Sequence, residues 1–285
     1  MKISPETGEI IKWEYNGALI TKSPVRPNFW RPPTDNDLGN GMPQWAKKWQ
    51  VASYNYSALL KDAPVKTKNG VSFKVEYQLP DIKAETLIEY EIDSQGKMSI
   101  DFTFNPKEKD LPNIPRLGMY LLLPSSFSSY TWYGKGPTES YWDRNTGVKT
   151  GVYSMETLSS FEPYPRPQET GNKTAVRWMQ VTNGKVSLKA SAHSILFNGS
   201  LWPFEMKELD FNPGDAGVSA SGLVPVTKKH GADIKIGNRY QWNIDYLQMG
   251  VGGDTSWGRL VHPEYTIPAD REYKYRFSIE PKVGE

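Results

Sequence analysis

Hydrophobic and polar side chains alternate strictly along several long stretches of the chain. Val71, Phe73, Val75 and Tyr77 are separated by Ser72, Lys74 and Glu76, and Ile88, Tyr90 and Ile92 by Glu89 and Glu91. Met98, Ile100, Phe102 and Phe104 follow the same rule, as do Tyr240, Trp242, Ile244 and Tyr246, and then Tyr273, Tyr275, Phe277 and Ile279. Neighbouring side chains of an extended strand point to opposite faces, so each stretch predicts a strand with one face on a core and the other in water, as in antiparallel sheets. Turn signals fall between such runs: Lys68-Asn69-Gly70, Asp93-Ser94-Gln95-Gly96, Asn183-Gly184 and Asn212-Pro213-Gly214. The pattern predicts an all-β protein, a large sandwich built of hairpins. Helical periodicity is confined to Gln44 to Ser53, with Pro43 at the first turn. Prolines at Pro24, Pro27, Pro32, Pro33 and Pro43, and again at Pro163, Pro165 and Pro167, mark two long irregular loops, the kind that serve function or pack on a neighbour. No repeat and no linker divides the chain, so one domain over residues 1–285 is expected.

Composition narrows the classes. The 24 glycines and 22 prolines are spread evenly, which favours turns over helices. Basic residues number 34 against 32 acidic ones, a net charge of +2 with no concentrated basic face, so a nucleic-acid partner is not expected. No cysteine is present, which excludes disulfides, thiolate metal sites and a cysteine nucleophile, and leaves the compartment open. No apolar run approaches a membrane span, and Met1 leads into a polar segment, so neither a membrane partner nor a signal peptide is expected.

Candidate chemistry is thin. The glycine-rich stretch Gly250 to Gly258 lacks the Gly-Lys-Ser/Thr ending of a phosphate loop, and Thr255 stands at the third-glycine position of a dinucleotide fingerprint. It reads instead as a turn that lets backbones approach closely and aims Trp257 outward. Asp35-Asn36-Asp37-Leu38-Gly39 fails the spacing of a calcium loop, because Gly39 sits where an oxygen ligand belongs; local backbone hydrogen bonding is the expected role. His193, His230 and His262 are dispersed and show no metal spacing. Glu139, Asp143 and Glu169 lie in aromatic loops, where a pair of carboxylates could face a sugar bond. The favoured reading is that they bind Arg144, Arg166 or Arg177 and hold the loops. The chain has 10 Trp and 16 Tyr, and Trp30, Trp45, Trp132, Tyr133, Tyr141, Trp142, Tyr164 and Trp257 are expected in loops. Flat aromatic faces suit the C–H faces of sugar rings, although most such residues serve as core. Trp257, flanked by glycines, is the exception and the candidate substrate-binding residue.

Three segments carry a family resemblance. Asn28-Phe29-Trp30-Arg31-Pro32-Pro33-Thr34-Asp35-Asn36-Asp37 resembles the opening signature of the C-terminal β-sandwich of family-two glycoside hydrolase β-galactosidases. Trp132 to Arg144, followed by Pro167-Gln168-Glu169-Thr170-Gly171-Asn172-Lys173-Thr174, resembles its middle motif, and Met249 to Gly258 its last one. The matches come in family order over nearly the whole chain. Departures are Pro33 in place of a common alanine, Ser140 in place of asparagine, and Thr255 in place of a second aspartate.

The resemblance implies a large antiparallel supersandwich of the galactose-mutarotase-like type. It also implies membership of an enzyme that removes terminal β-galactose with retention, using two glutamates on a separate (β/α) barrel that this sequence lacks. A tryptophan of the last motif reaches that barrel's pocket in the family, and Trp257 is the matching residue. No catalytic residue and no metal ligand is carried over, so no cofactor is expected in this chain; a divalent cation, Mg or Ca, belongs to the barrel. The implied partners are galactosides and the remaining domains of the same enzyme, the catalytic barrel above all. The pattern is already under way at Met1, which suggests a piece of a longer chain or a separate small subunit. The alternatives are a stand-alone aldose epimerase, which needs paired histidines, and a carbohydrate-binding module.

Overall fold

The computed structural model describes residues 1–210, 229–255 and 258–284, together with the backbone of 216–218 and 225–227. The expected turn at Asn212-Pro213-Gly214 and the residues Ser256 and Trp257 lie outside the described residues.

Two antiparallel sheets carry most of the chain. The larger has ten strands, running in space from Lys149–Glu156 through Ser129–Gly136, Trp178–Thr182, Val186–Ala192, Tyr273–Val283, Met98–Pro106, Ala84–Asp93 and Gly70–Leu79 to Ser57–Leu60, with Val65–Lys66 also paired to Gly70–Leu79. The smaller is ordered Lys173–Val176, Phe197–Trp202, Arg239–Gln248, Arg116–Pro124, Arg26–Asn28. Lys2–Ile3, Ile10–Tyr15 and Ala18–Thr21 form a separate three-stranded sheet.

All five alternating stretches are strands, and their register explains the alternation. Met98, Ile100, Phe102 and Phe104 are at most 1% exposed, while the residues between them are half-buried. Phe102 sits opposite Tyr275 with ring centroids 5.1 Å apart, and Phe73 opposite Tyr90 at 5.0 Å. Such cross-strand aromatic pairs fix register, since a slip by one residue would turn the whole apolar set to the wrong face.

The strand Arg239–Gln248 departs from the expectation of one wet face. Tyr240, Trp242 and Ile244 face the core, yet Gln241, Asn243 and Asp245 on the opposite face are at most 2% exposed. It is an inner strand of the smaller sheet, and its polar face is roofed by the segment after Trp202. The backbone N–H of Met206 donates to Gln241 Oε1 (2.8 Å), Gln241 donates to Asn243 (2.8 Å), and Asn243 to Ser200 (2.9 Å). Gln241 and Asn243 can stay buried because each finds a partner in this ladder, while Asp245 faces the Arg116 guanidinium.

The predicted helix is present in divided form: Met42–Trp45, with Pro43 in its first turn, and Lys47–Tyr54, separated at Ala46. Met42, Ala46, Trp49 and Ala52 form its buried stripe. A further short helix, Asp35–Gly39, starts in a capping box. Asp37 N–H donates to Thr34 Oγ1 (3.2 Å), and Thr34 N–H to Asp37 Oδ2 (3.0 Å). Asp37 therefore has the local backbone role expected of this stretch, whereas Asp35 and Asn36 bond to segments far away in sequence.

Candidate functional site

The glycine-rich segment from Met249 onward leaves the end of strand Arg239–Gln248 and is gripped from three directions. Arg31, fully buried, donates to the carbonyls of Met249 and Gly250, the latter at 2.8 Å, and to both oxygens of Asp37 at 2.9 Å. Asp143 accepts the backbone N–H groups of Val251 (3.0 Å) and Gly252 (2.7 Å). Asn36 ties the two arms of the loop together: its Nδ2 donates to the carbonyls of Gly252 (2.9 Å) and Arg259 (2.8 Å), and its Oδ1 accepts from Gly258 N–H (3.1 Å). Backbone groups that would otherwise need solvent are thus satisfied by side chains far away in sequence.

Two glycines are demanded by this packing. A Cβ on Gly250 would lie 2.7 Å from the Asp143 carboxyl carbon. Gly258 has φ of +93°, and a Cβ there would come 2.1 Å from the Gly39 carbonyl carbon. Only glycine permits both the close approach and the positive φ.

The motif segments converge around this loop. Arg166 pairs with Asp35 at 3.1 Å, and Gln168 exchanges hydrogen bonds with Asp35 at 3.1 and 3.2 Å. Trp142 meets Tyr265 edge-on, with centroids 5.9 Å apart. His262 bonds Asp254 at 2.7 Å, which raises the imidazole pKa. Val251 and Arg144 line two open pockets, one of 270 Å³ that includes Thr34, Tyr141 and Glu169, the other of 320 Å³ that includes Asp143, His262 and Tyr265.

The candidate carboxylates are structural, with two partners different from those expected. Glu139 pairs with Arg144 as anticipated, and also accepts from Tyr164, Gly171 N–H (2.7 Å), Thr170 (3.3 Å) and Tyr141 (3.4 Å). Its lone pairs are taken, so it is not free to act on a substrate. Glu169 bonds Arg116 at 2.9 Å, not the nearby arginines in sequence, and Asp143 holds backbone. Arg177 lies over the Tyr133 ring at 4.9 Å. Arg116 also faces Asp245 at 3.3 Å, and all three side chains of this Glu169–Arg116–Asp245 group are fully buried. Burial drives Asp245 up to about 7 against the pull of Arg116, and raises Glu169 as well.

Several aromatics expected in loops are elsewhere. Trp132 and Tyr133 belong to strand Ser129–Gly136, and Trp45 to helix Met42–Trp45. Trp30 does lie in a loop, after strand Arg26–Asn28, but is core there, its indole N–H on Asp210 at 2.8 Å. The histidines occupy separate exposed positions, and no hydrogen bond joins any two of them among the described residues. Among those residues, too, no group of three or more His, Asp or Glu is arranged to hold a metal ion. No described helix is long and apolar enough to cross a membrane.

The family model for the β-galactosidase small chain matches residues 1–279. The chain belongs to that family. A β-galactosidase of Priestia megaterium (strain DSM 319 / IMG 1521) is 34% identical over 278 residues, which is 96% of this chain and 25% of the relative. One from Lactobacillus delbrueckii subsp. bulgaricus is 34% identical over 274 residues, covering 95% of this chain and 25% of its own length. This small chain thus spans about a quarter of the curated relatives it matches. Among solved structures, a galactose mutarotase-like protein from Lactobacillus casei ATCC 334 covers 98% of this chain and 96% of its own, at 11% identity and a TM-score of 0.48.

Arg31, Asn36, Arg116 and Asp245 were not singled out as anchors by sequence reasoning. One signal existed for Arg116: an arginine opening the apolar run Arg116–Pro124 needs a buried acidic partner.

Proposed function

We propose that this chain is the part of a β-galactosidase that builds one wall of the sugar pocket, with Trp257 as its aromatic face. In this reading the complete enzyme removes terminal, non-reducing β-D-galactose with retention, and the acid and the nucleophile come from a barrel in the remainder of the protein. The observation that carries the reading is the three-point grip of Arg31, Asn36 and Asp143 on the loop that contains Trp257.

The physical logic is one of positioning. Retaining hydrolysis needs two carboxyl groups flanking the glycosidic bond. The candidate carboxylates Glu139, Asp143 and Glu169 are committed to Arg144, backbone N–H groups and Arg116, and Asp37 to Arg31, so these four bind structure rather than substrate. A rigid sandwich can instead offer a flat ring against the apolar C–H face of a pyranose, and a fixed wall lowers the entropy cost of orienting the sugar. Tying the loop ends by side-chain amide and carboxylate bonds supplies that rigidity. A divalent cation, where present, is held outside this chain and adds no step to the chemistry of these residues.

In the full-length enzyme, Trp257→Ala is expected to weaken binding of lactose or of an acceptor sugar by about tenfold, equivalent to about 1.4 kcal/mol. Steady-state kinetics with lactose, with and without added glucose, measure this. Unchanged constants in both conditions would remove Trp257 from the pocket.

A further inference from the structure

Lys173 opens the edge strand Lys173–Val176 and is only 2% exposed. Its ammonium lies 5.2 Å from the Trp132 ring centroid and makes no hydrogen bond or ion pair with any described residue. Burial of the side chain lowers this ammonium to about 8 and leaves its donors facing the pocket that it lines. Lys173 lines a 120 Å³ pocket together with Thr138, Glu139, Ser159, Ser160 and Glu162. Thr138, Glu139 and Glu162 also line a neighbouring 450 Å³ cleft that carries Tyr164, Arg144 and Asn145. Its volume lies within the usual range of small-molecule sites.

We propose that this cleft and the adjoining Lys173 pocket, which share Thr138, Glu139 and Glu162, together bind a neutral pyranose, with Lys173 donating to a sugar oxygen on the pocket side. Charge selects the ligand class. An anion would meet Glu139 and Glu162, and a cation would meet Lys173. A neutral polyol suits both walls, since its hydroxyls can accept from Lys173 and donate to Glu162, whose exposed carboxylate takes part in no side-chain hydrogen bond among the described residues. Tyr164 and Pro137 supply apolar surface at the cleft and the pocket respectively. Nothing in this argument uses Trp257, so it stands or falls apart from the proposed function.

The test is titration of the 285-residue chain with D-galactose and D-glucose, followed by calorimetry and by amide chemical shifts. Saturable millimolar binding is expected, about tenfold weaker in Lys173→Met and in Glu162→Ala, as for loss of a hydrogen bond to a charged group, with the shifted amides centred on Thr138, Glu139, Asn145 and Glu162. Glu162 is exposed, so its variant folds even if Lys173→Met does not. No saturable binding, binding unaltered in Glu162→Ala, or amide shifts that spare Thr138, Glu139, Asn145 and Glu162 would each overturn the proposal.

Discussion

Replacing Arg31 with methionine is expected to destabilise the chain by about 3–5 kcal/mol, the usual cost of removing one partner from a buried ion pair. Three losses add up at that position. Asp37 is left as a fully buried carboxylate without its cation. The carbonyls of Met249 and Gly250 lose their donor. The helix Asp35–Gly39 keeps its capping box, but the aspartate that closes the box is now strained by an uncompensated charge. Urea unfolding gives the number directly. A loss below about 1 kcal/mol, the range of exposed pairs, would mean that water reaches Asp37 and that the grip on the loop is loose.

The second large effect is a pH dependence set by Asp245. This carboxyl is fully buried on the polar face of strand Arg239–Gln248, where one guanidinium, Arg116, serves two carboxylates. Glu169 is the second of them, and Tyr275 packs nearby with its hydroxyl on the Ile244 carbonyl at 3.0 Å. Burial raises Asp245 from 3.8 to about 7. The folded protein therefore retains a proton that the unfolded chain has lost between these values. The corresponding stability is fully present below pH 3.8 and is lost as pH rises towards 7, at about 1.4 kcal/mol per pH unit for one group. Asp245→Asn removes this titration while keeping size and one acceptor. Its stability relative to the parent chain should rise steadily from pH 4 to pH 7 and then level off, as read from urea unfolding at several pH values. A difference that stays constant with pH would show that Asp245 ionises normally. Glu169 also shifts upward and shares Arg116 with Asp245, so Asp245→Asn leaves that guanidinium to Glu169 alone and its response adds to the same rise.

These two residues show where sequence reading succeeds and where it stops. Local patterns transmit well: the alternation of Met98 to Phe104 depends only on which face is buried, and the turn at Asp93-Ser94-Gln95-Gly96 only on neighbouring backbone. The family resemblance was legible for the same reason, in contiguous runs of residues. What failed is long-range. Glu169 chose Arg116, 53 positions away, over the arginines beside it, because the two meet only once the smaller sheet is assembled. Asn36 reaches residues more than 210 positions distant, a link that no spacing rule anticipates. The polar face of strand Arg239–Gln248 was expected in water because alternation cannot distinguish a solvated polar face from one roofed by another segment. Trp132 was placed in a loop because its glycine- and proline-rich neighbours Gly134, Gly136 and Pro137 resemble one, whereas the strand runs through to Gly136.

Purifying this chain alone and assaying it with a chromogenic β-galactoside, beside the full-length enzyme at equal molarity, tests the central claim most directly. No turnover above the buffer blank is expected from the isolated chain, with ready hydrolysis by the complete protein. Hydrolysis by the isolated chain at a rate approaching that of the whole enzyme would mean that a bond-cleaving site resides within these residues after all.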